Sequence, residues 1–368
     1  MPPEMGPLGP RRGEAVHGIL NIGQGARHLQ GGTEMIPGTT AGGPREGHTG
    51  RDLWAVVLAG GEGMRLRRFV RQVLGSERPK QFCRIVGRRS MLRHTWDRAL
   101  GMVDPAQIVT VITAGQEPYL AEEEAGAGVP GTVLAQPGNK DTAPGLLLPL
   151  LWIAAHAPGA TVVVFPADHF VWEEDRFTMH VRAATAAARD LPDRLVLLGV
   201  EADSPDVGYG WIAPGEPVGA GPAAEVYAVR RFWEKPDRAT AAHLFARGYF
   251  WNTLVLAGRL EAYLGLAAVC VPQVLGPLRA MDLSSDTTPA AAALAAAYGC
   301  IPSTNLSHAM LARCPQGLMV LAARGVAWSD WGDPDRIVRT LRRFDRRPSW
   351  LLAYARARAA GAGASAVG

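Results

Sequence analysis

The chain has 368 residues, 48% of them apolar, with a formal net charge of +4 and a pI near 9.0, which suits one large α/β domain or two smaller ones, each with a full core. The basic excess is modest and scattered, with clusters at Arg65–Arg71 and Arg336–Arg347 and no basic block interleaved with aromatics, which argues against a nucleic-acid partner. No apolar run approaches the roughly 18 residues of a membrane helix, and no basic stretch followed by an apolar core opens the chain, so neither a membrane span nor a secretory signal is expected.

Residues 1–50 hold 13 Gly and 6 Pro, above the ~25–30% at which aperiodic Gly plus Pro signals disorder; an unfolded tail outside the domain is expected there. From 53 to about 200 strand and helix patterns alternate. Strands are expected at 53–59, 107–113, 131–135, 161–165 and 194–199, and helices near 89–101, 115–124, 142–156 and 173–190. The strands are continuous apolar runs such as Thr161 to Phe165, as when both faces of a sheet are covered. Such alternation predicts βαβ units and an α/β fold with a doubly wound, mostly parallel, Rossmann-like sheet flanked by helices. Ligands in that architecture sit beyond the carboxyl ends of the strands. From about 201 the strands shorten and extend the same sheet. The Ala- and Leu-rich stretch 265–300 reads as surface helices, and 337–344 and 350–359 as two closing helices, with fraying from Gly361. One domain over 51–345 results, with halves of about 51–200 and 201–333, followed by a C-terminal helix and frayed end over 346–368. The four cysteines, Cys83, Cys270, Cys300 and Cys314, show no C-x-x-C spacing and no accompanying His cluster. Buried reduced thiols in a cytoplasmic protein are expected, rather than zinc ligands or disulfides.

Leu58-Ala59-Gly60-Gly61-Glu62-Gly63-Met64-Arg65 follows the first strand, and Lys80 stands further on in R-P-K-Q-F. A glycine-rich turn can aim several backbone N–H groups into one concavity that binds phosphate oxygens. Arg65 would add a planar fork and Lys80 a point charge. The order is neither a Walker loop nor G-x-G-x-x-G, since Leu66 stands where the third glycine would be, and such a turn is often only a turn. Asp168 follows a strand in F-P-A-D-H, and Asp330 lies in W-S-D-W-G. Each, taken alone, is as readily a turn residue or a helix cap. His169 reads equally as structural or phosphate-facing. Asp141 or Thr142 is a candidate N-cap for the apolar helix that follows, and Asp333 and Asp335 read as caps. Gly208-Tyr209-Gly210 is a hairpin turn or a close approach to a ligand, and Glu234-Lys235-Pro236 is by default a solvated loop.

Taken together and in order, these blocks resemble the sugar-1-phosphate nucleotidyltransferase family. They are L-A-G-G-E-G-M-R-L with R-P-K-Q-F, Gln136-Pro137 with Thr142-Ala143-Pro144, Phe165 to His169, Gly208 to Ile212, Phe232 to Pro236, Trp251-Asn252 and Trp328 to Asp330. The P-K-Q-F ending is most similar to the mannose-1-phosphate guanylyltransferase branch. The resemblance runs, with gaps, from about Asp52 to Asp333. It implies a nucleoside triphosphate, most readily GTP, and a sugar 1-phosphate, most readily mannose 1-phosphate, as substrates, and Mg2+ held by Asp168 and Asp330. It implies nucleotide binding by Leu58, Ala59, Gly60, Gly61, Gly63, Arg65, Lys80, Gln136 and Thr142. Sugar binding falls to Gly210, Glu234, Lys235 and Asn252, and catalysis to Arg65, Lys80, Asp168 and Lys235. It is compatible with a homodimer.

The chain departs from the family pattern at several points. Met64 replaces a usual Thr, Arg67-Arg68 a usual Trp-Pro, and Thr253-Leu254 a frequent Ser-Gly; relatives often have Gly or Asn at the position of Asp141. Ser307 and Ala312 stand where relatives carry acidic residues. The phosphate side is therefore better kept than the sugar side. Two other readings stay open. One is a non-catalytic, nucleotide-sugar-binding regulatory paralogue; the other is a glycosyltransferase, which would be expected to carry D-x-D where Phe165 to His169 has a single aspartate.

Overall fold

Runs of Val, Ile and Leu without polar interruption become the strands of one sheet. The computed structural model describes residues 52–218, 225–284 and 291–365; the Gly/Pro-rich tail expected over 1–50 lies outside them. The first strands are β1 (Leu53–Leu58), β2 (Ile108–Thr113), β3 (Thr132–Gln136), β4 (Thr161–Pro166), β5 (Phe170–Val171) and β6 (Leu195–Glu201). The later ones are β7 (Gly210–Pro217), β8 (Val226–Glu234), β9 (Phe250–Arg259), β10 (Leu318–Ala323) and β11 (Trp328–Ser329). Nine of them form a sheet in the order β3-β2-β1-β4-β9-β6-β10-β8-β7, and β5 pairs with β11 apart from it.

The parallel arrangement extends over β3-β2-β1-β4, with Ala55 opposite both Ile108 and Val163. Beyond β4 the expectation of a mostly parallel sheet is corrected. β9 lies antiparallel between β4 and β6, and β8 and β7 are antiparallel to their neighbours; only β6 and β10 pair in parallel. A strand buried on both faces shows the same apolar run whichever way it points, so its direction is invisible in the pattern.

Helices cover both faces. On one side α4 (Thr142–His156), α7 (Leu260–Cys270), α8 (Pro272–Arg279) and α9 (Ala291–Cys300) pack against the sheet through Leu147, Ile153, Tyr263, Val274 and Leu294. The stretch expected as surface helices forms an outer layer of that kind: one face, with Val274, Leu278, Leu294 and Tyr298, is buried, while most of its alanines are exposed. On the other side lie α2 (Met91–Leu100), α3 (Glu117–Ala127), α5 (Glu174–Asp190) and α6 (Arg238–Ala246), through Trp96, Leu120, Phe177 and Leu244. A third cluster joins α1 (Arg67–Leu74), directly after the glycine turn, to α10 (Pro334–Arg343) and α11 (Ser349–Ser365). There Phe69 meets Tyr354 and Trp350 edge-on at 5.1 and 5.4 Å. The last helix, expected to fray from Gly361, is continuous to Ser365.

The cysteines depart from expectation. Cys83 is a buried free thiol, pushed up to about 12 by burial, but Cys300 is exposed, and Cys270 and Cys314 form a disulfide. The pair is separated by 44 residues and meets only because α7 packs beside the turn before β10, a proximity that spacing does not encode.

Gly131, at φ +67, leads into β3 where a Cβ would overlap the carbonyls of Ile108 and Pro105. Gly75 closes α1 at φ +68 with open space around it. Gly131→Ala should cost about 3 kcal/mol or more, from clash plus left-handed strain, and Gly75→Ala only about 1 kcal/mol, from strain alone. Urea midpoints of the two variants check this; equal losses would contradict it.

Candidate active site

The turn after β1 is held from inside. Thr113 Oγ1 donates to the Gly60 carbonyl at 2.8 Å, Gln81 Nε2 to that of Gly61 at 2.8 Å, and Gln116 Nε2 also to Gly61 at 3.1 Å. Gln81 Nε2 donates to the Ala59 carbonyl as well. With these carbonyls turned into the protein, the amides of Gly60, Gly61 and Glu62 meet no acceptor among the described residues. Glycine is required at Gly63, and at Gly60 it leaves room for the end of Gln136. A Cβ at Gly60 would meet Gln136 Nε2 at 2.5 Å, and Gly63, at φ +62, lies against the Lys80 backbone.

These residues line a cleft of about 800 Å3 at the carboxyl edge of β1, β3 and β4. Of the expected site residues, Leu58, Gly60, Gly61, Gly63, Arg65, Lys80, Gln136, Thr142, Asp168 and Lys235 line it. Ala59 does not: it is buried, its amide bonded to Val111 at 2.8 Å. Gly210, Glu234 and Asn252 are brought together at the ends of β7, β8 and β9, next to Lys235 but outside the lining. A Cβ at Gly210 would meet Glu234 Oε2 at 3.0 Å and Asn252 Cβ at 3.3 Å. Asn252 is buried, and its Oδ1 accepts from the Leu254 amide at 3.1 Å.

Lys80 is the junction of the site. Buried to 5% exposure, its ammonium lies 2.8 Å from Asp168 Oδ2, donates to the Trp331 carbonyl at 3.3 Å and also to that of Asp330. Burial alone would raise the Asp168 carboxyl, but the charge and hydrogen bond of the adjacent Lys80 ammonium, with lesser help from the His169 ring and the Asp168 amide, hold it below its ordinary value. Asp168 and Asp330 therefore flank one lysine, but their carboxylates are differently engaged. That of Asp330 points to Arg336 Nη1 at 3.0 Å and the Gly332 amide at 2.8 Å, away from the cleft lining. Arg336 in turn binds Asp206 through Nε at 3.1 Å and through Nη2, and lies over the Tyr209 ring at 4.2 Å. By contrast, Arg65 is exposed and meets no carboxylate among the described residues, and Lys235 pairs with Glu234 at 3.1 Å. Burial pushes His169 down to about 4, leaving the ring neutral at pH 7, 3.7 Å from Asp168 Oδ1.

Backbone strain collects here. Among the described residues five non-glycines have positive φ, and three of them, Asp141 (69°), Lys235 (49°) and Leu254 (56°), line the cleft. A fourth, Trp331 at 44°, presents its carbonyl to Lys80. Each such residue costs of order 1–3 kcal/mol and persists only where its surroundings over-determine it. Gly or Asn in relatives at the position of Asp141, and Gly at that of Leu254, has a plain cause in these angles.

Several residues of the site carried no role in the sequence reading. Gln81, Gln116 and Thr113 lock the turn; Tyr298 donates to Gln136 Oε1 at 3.0 Å; and the Leu306 amide donates to Thr142 Oγ1 at 2.8 Å. Gln81 stood inside the P-K-Q-F block, so a signal existed. Tyr298 reaches Gln136 from 162 positions along the chain, with none, and Arg336 stands six residues after Asp330 in a basic cluster that carried no hint of this role.

Leu254→Gly would relieve left-handed strain while removing a half-buried side chain. Its net effect should stay within about 1 kcal/mol, against the 2–5 kcal/mol of an ordinary buried leucine truncation; a loss above about 2 kcal/mol by urea unfolding would contradict the strain. For His169, the unfolded ring takes a proton near pH 6.5 and the folded ring only near 4. Stability should therefore fall as pH drops from 6.5 to 4, by about 3 kcal/mol in all. His169→Asn should flatten that part of a stability-versus-pH curve, and an unchanged curve would contradict the neutral buried ring.

A family model described as nucleotidyl transferase matches residues 54–344. The chain is 31% identical over 294 residues to the xanthan biosynthesis protein XanB of Xanthomonas campestris pv. campestris (strain B100), covering 76% of this chain and 58% of that protein. It is 29% identical over 284 residues to a mannose-1-phosphate guanylyltransferase of Escherichia coli, with the same two coverages. The chain thus spans less than two thirds of the length of these relatives. Among solved structures, a Thermus thermophilus protein described as a mannose-1-phosphate geranyltransferase shares the fold, with a TM-score of 0.65 at 24% identity, covering 81% of this chain and 80% of that one.

Proposed function

Because the chain belongs to the nucleotidyl transferase family, we propose that it joins a sugar 1-phosphate to a nucleoside triphosphate, giving a nucleotide sugar and pyrophosphate. Mannose 1-phosphate and GTP are the first substrates to try, since the relatives named above include a mannose-1-phosphate guanylyltransferase. The observation that carries the reading is the convergence, in one cleft, of the free amides of the glycine turn with the three cations Arg65, Lys80 and Lys235. Two phosphorylated anions need such a surface: at ~4 Å two unit charges repel by ~4 kcal/mol at an effective dielectric of 20.

In this reading the turn amides and Arg65 take the β- and γ-phosphates and steady the departing pyrophosphate. Lys80, fixed by Asp168 and two carbonyls, meets the α-phosphate. Lys235 receives the phosphate of the sugar, whose hydroxyls fall to Gly210, Glu234 and Asn252. Gln136 and Thr142 face the base and ribose. A sugar-phosphate oxygen bonds to the α-phosphorus as the bond to the pyrophosphate oxygen breaks. The nucleophile is already anionic, so no general base is required; the residues align the two anions and neutralise their charge.

Mg2+ asks for hard oxygen ligands: Asp168 offers a carboxylate in the cleft beside Lys80, whereas Asp330 meets Lys80 through its backbone carbonyl and its carboxylate would have to leave Arg336 to join, the remainder coming from phosphate and water. Those two residues would hold the ion, which when bound supplies Lewis-acid neutralisation of phosphate charge.

One observation favours a second reading, the regulatory paralogue. Both carboxylates are already paired, Asp168 with Lys80 and Asp330 with Arg336. Pyrophosphate release, measured over a panel of triphosphates and sugar 1-phosphates with Mg2+, separates the two. Turnover with GTP and mannose 1-phosphate is expected, and none with any pair would favour the regulator. Asp168→Asn should abolish turnover with the fold intact. Arg65→Ala should lower kcat at least tenfold, since one charged transition-state contact is worth at least ~1.4 kcal/mol; an unchanged rate would remove Arg65 from the mechanism.

A further inference from the structure

A second cavity, of about 480 Å3, lies behind the cleft, between the start of α2, β5 and the segment that follows α10. Its chemistry is one-sided. Four arginines line it, Arg88, Arg89, Arg98 and Arg346, against one carboxylate, Glu174. Arg98 holds Glu174 through two bonds of 2.7 and 2.9 Å, and Arg89 pairs outward with Asp97 at 2.5 Å. Arg88 and Arg346 are left without a carboxylate among the described residues. Three aromatic rings complete the wall. Phe170 stacks on Trp331 at 4.7 Å, and the Arg346 guanidinium lies 4.7 Å from the centre of the Trp172 ring.

One buried donor there is unsatisfied: Trp331, 2% exposed, has no partner for its Nε1. His169 Nδ1 also lacks a partner, but as an acceptor, since Nε2 faces the Asp168 carboxylate. A buried polar group without a partner costs free energy that a ligand acceptor would recover. An aromatic wall, two spare guanidinium groups and an unfilled indole N–H together fit a planar ring bearing phosphate. We propose that this cavity is a second ligand site, for a nucleoside phosphate. His169 is the one residue that lines both the cavity and the cleft, so an occupant here touches the ring beside Asp168. The site does not depend on the reaction assigned to the cleft.

The test is a calorimetric titration of the full chain with GDP. Two equivalents are expected. The double variant Arg88→Ala, Arg346→Ala should weaken one of them at least about tenfold and leave the other in place. Arg65→Ala should do the reverse. One equivalent, weakened by the double variant and untouched by Arg65→Ala, would keep the cavity site and remove the cleft as a nucleotide site. No binding, or binding unchanged by the double variant, would overturn the proposal.

Discussion

The site depends on one buried ammonium. Lys80 reaches in from the loop after α1, touches the Asp168 carboxylate beyond β4 and ends on the backbone carbonyls of Asp330 and Trp331. Three segments, each distant in the chain from the others, are thereby fixed around a single charge. A cation at 5% exposure needs compensation on every side, and here that need determines where both aspartates stand. The left-handed Trp331 has a reason as well, since its carbonyl would otherwise turn away from the lysine.

Around that junction the sheet works in two parts. The parallel strands β3-β2-β1-β4 end together and place the glycine turn, Gln136 and Asp168 at one edge. The antiparallel strands β7, β8 and β9 bring Gly210, Glu234 and Asn252 to a common point beside Lys235. The third hydrophobic cluster ties the far end of the chain to this edge, because Phe69 of α1 packs on Trp350 and Tyr354 of α11. The C-terminal helices thus support the helix on which the phosphate-side turn rests.

Much of this was legible in the residues. The helix over 142–156 and the strands of the first half follow from apolar period and length, and the turn chemistry follows from Gly60 and Gly63. Strand direction in the second half was not legible, because burial on both faces erases the alternation that would orient β9. The long-range partners stayed hidden for a related reason. Tyr298 fixes Gln136 across 162 positions and Asp206 anchors Arg336 across 130, while Arg336 turns Asp330 aside from only six positions away, once that anchor holds it. Leu254 and Asp141 lay between these cases: their departure from glycine was visible, but its meaning as strain needed the φ angles.

The inward hydrogen bonds of Thr113, Gln81 and Gln116 have a further consequence. They freeze the turn with its donors already pointing outward, so an incoming oxyanion finds a finished cradle and little chain entropy is lost on its arrival. Such a cradle recognises tetrahedral charge before it recognises a molecule. Under the proposed function, inorganic phosphate or sulfate in a buffer would occupy the same hollow, and selectivity would have to be generated elsewhere, by the residues proposed to meet the base and the sugar.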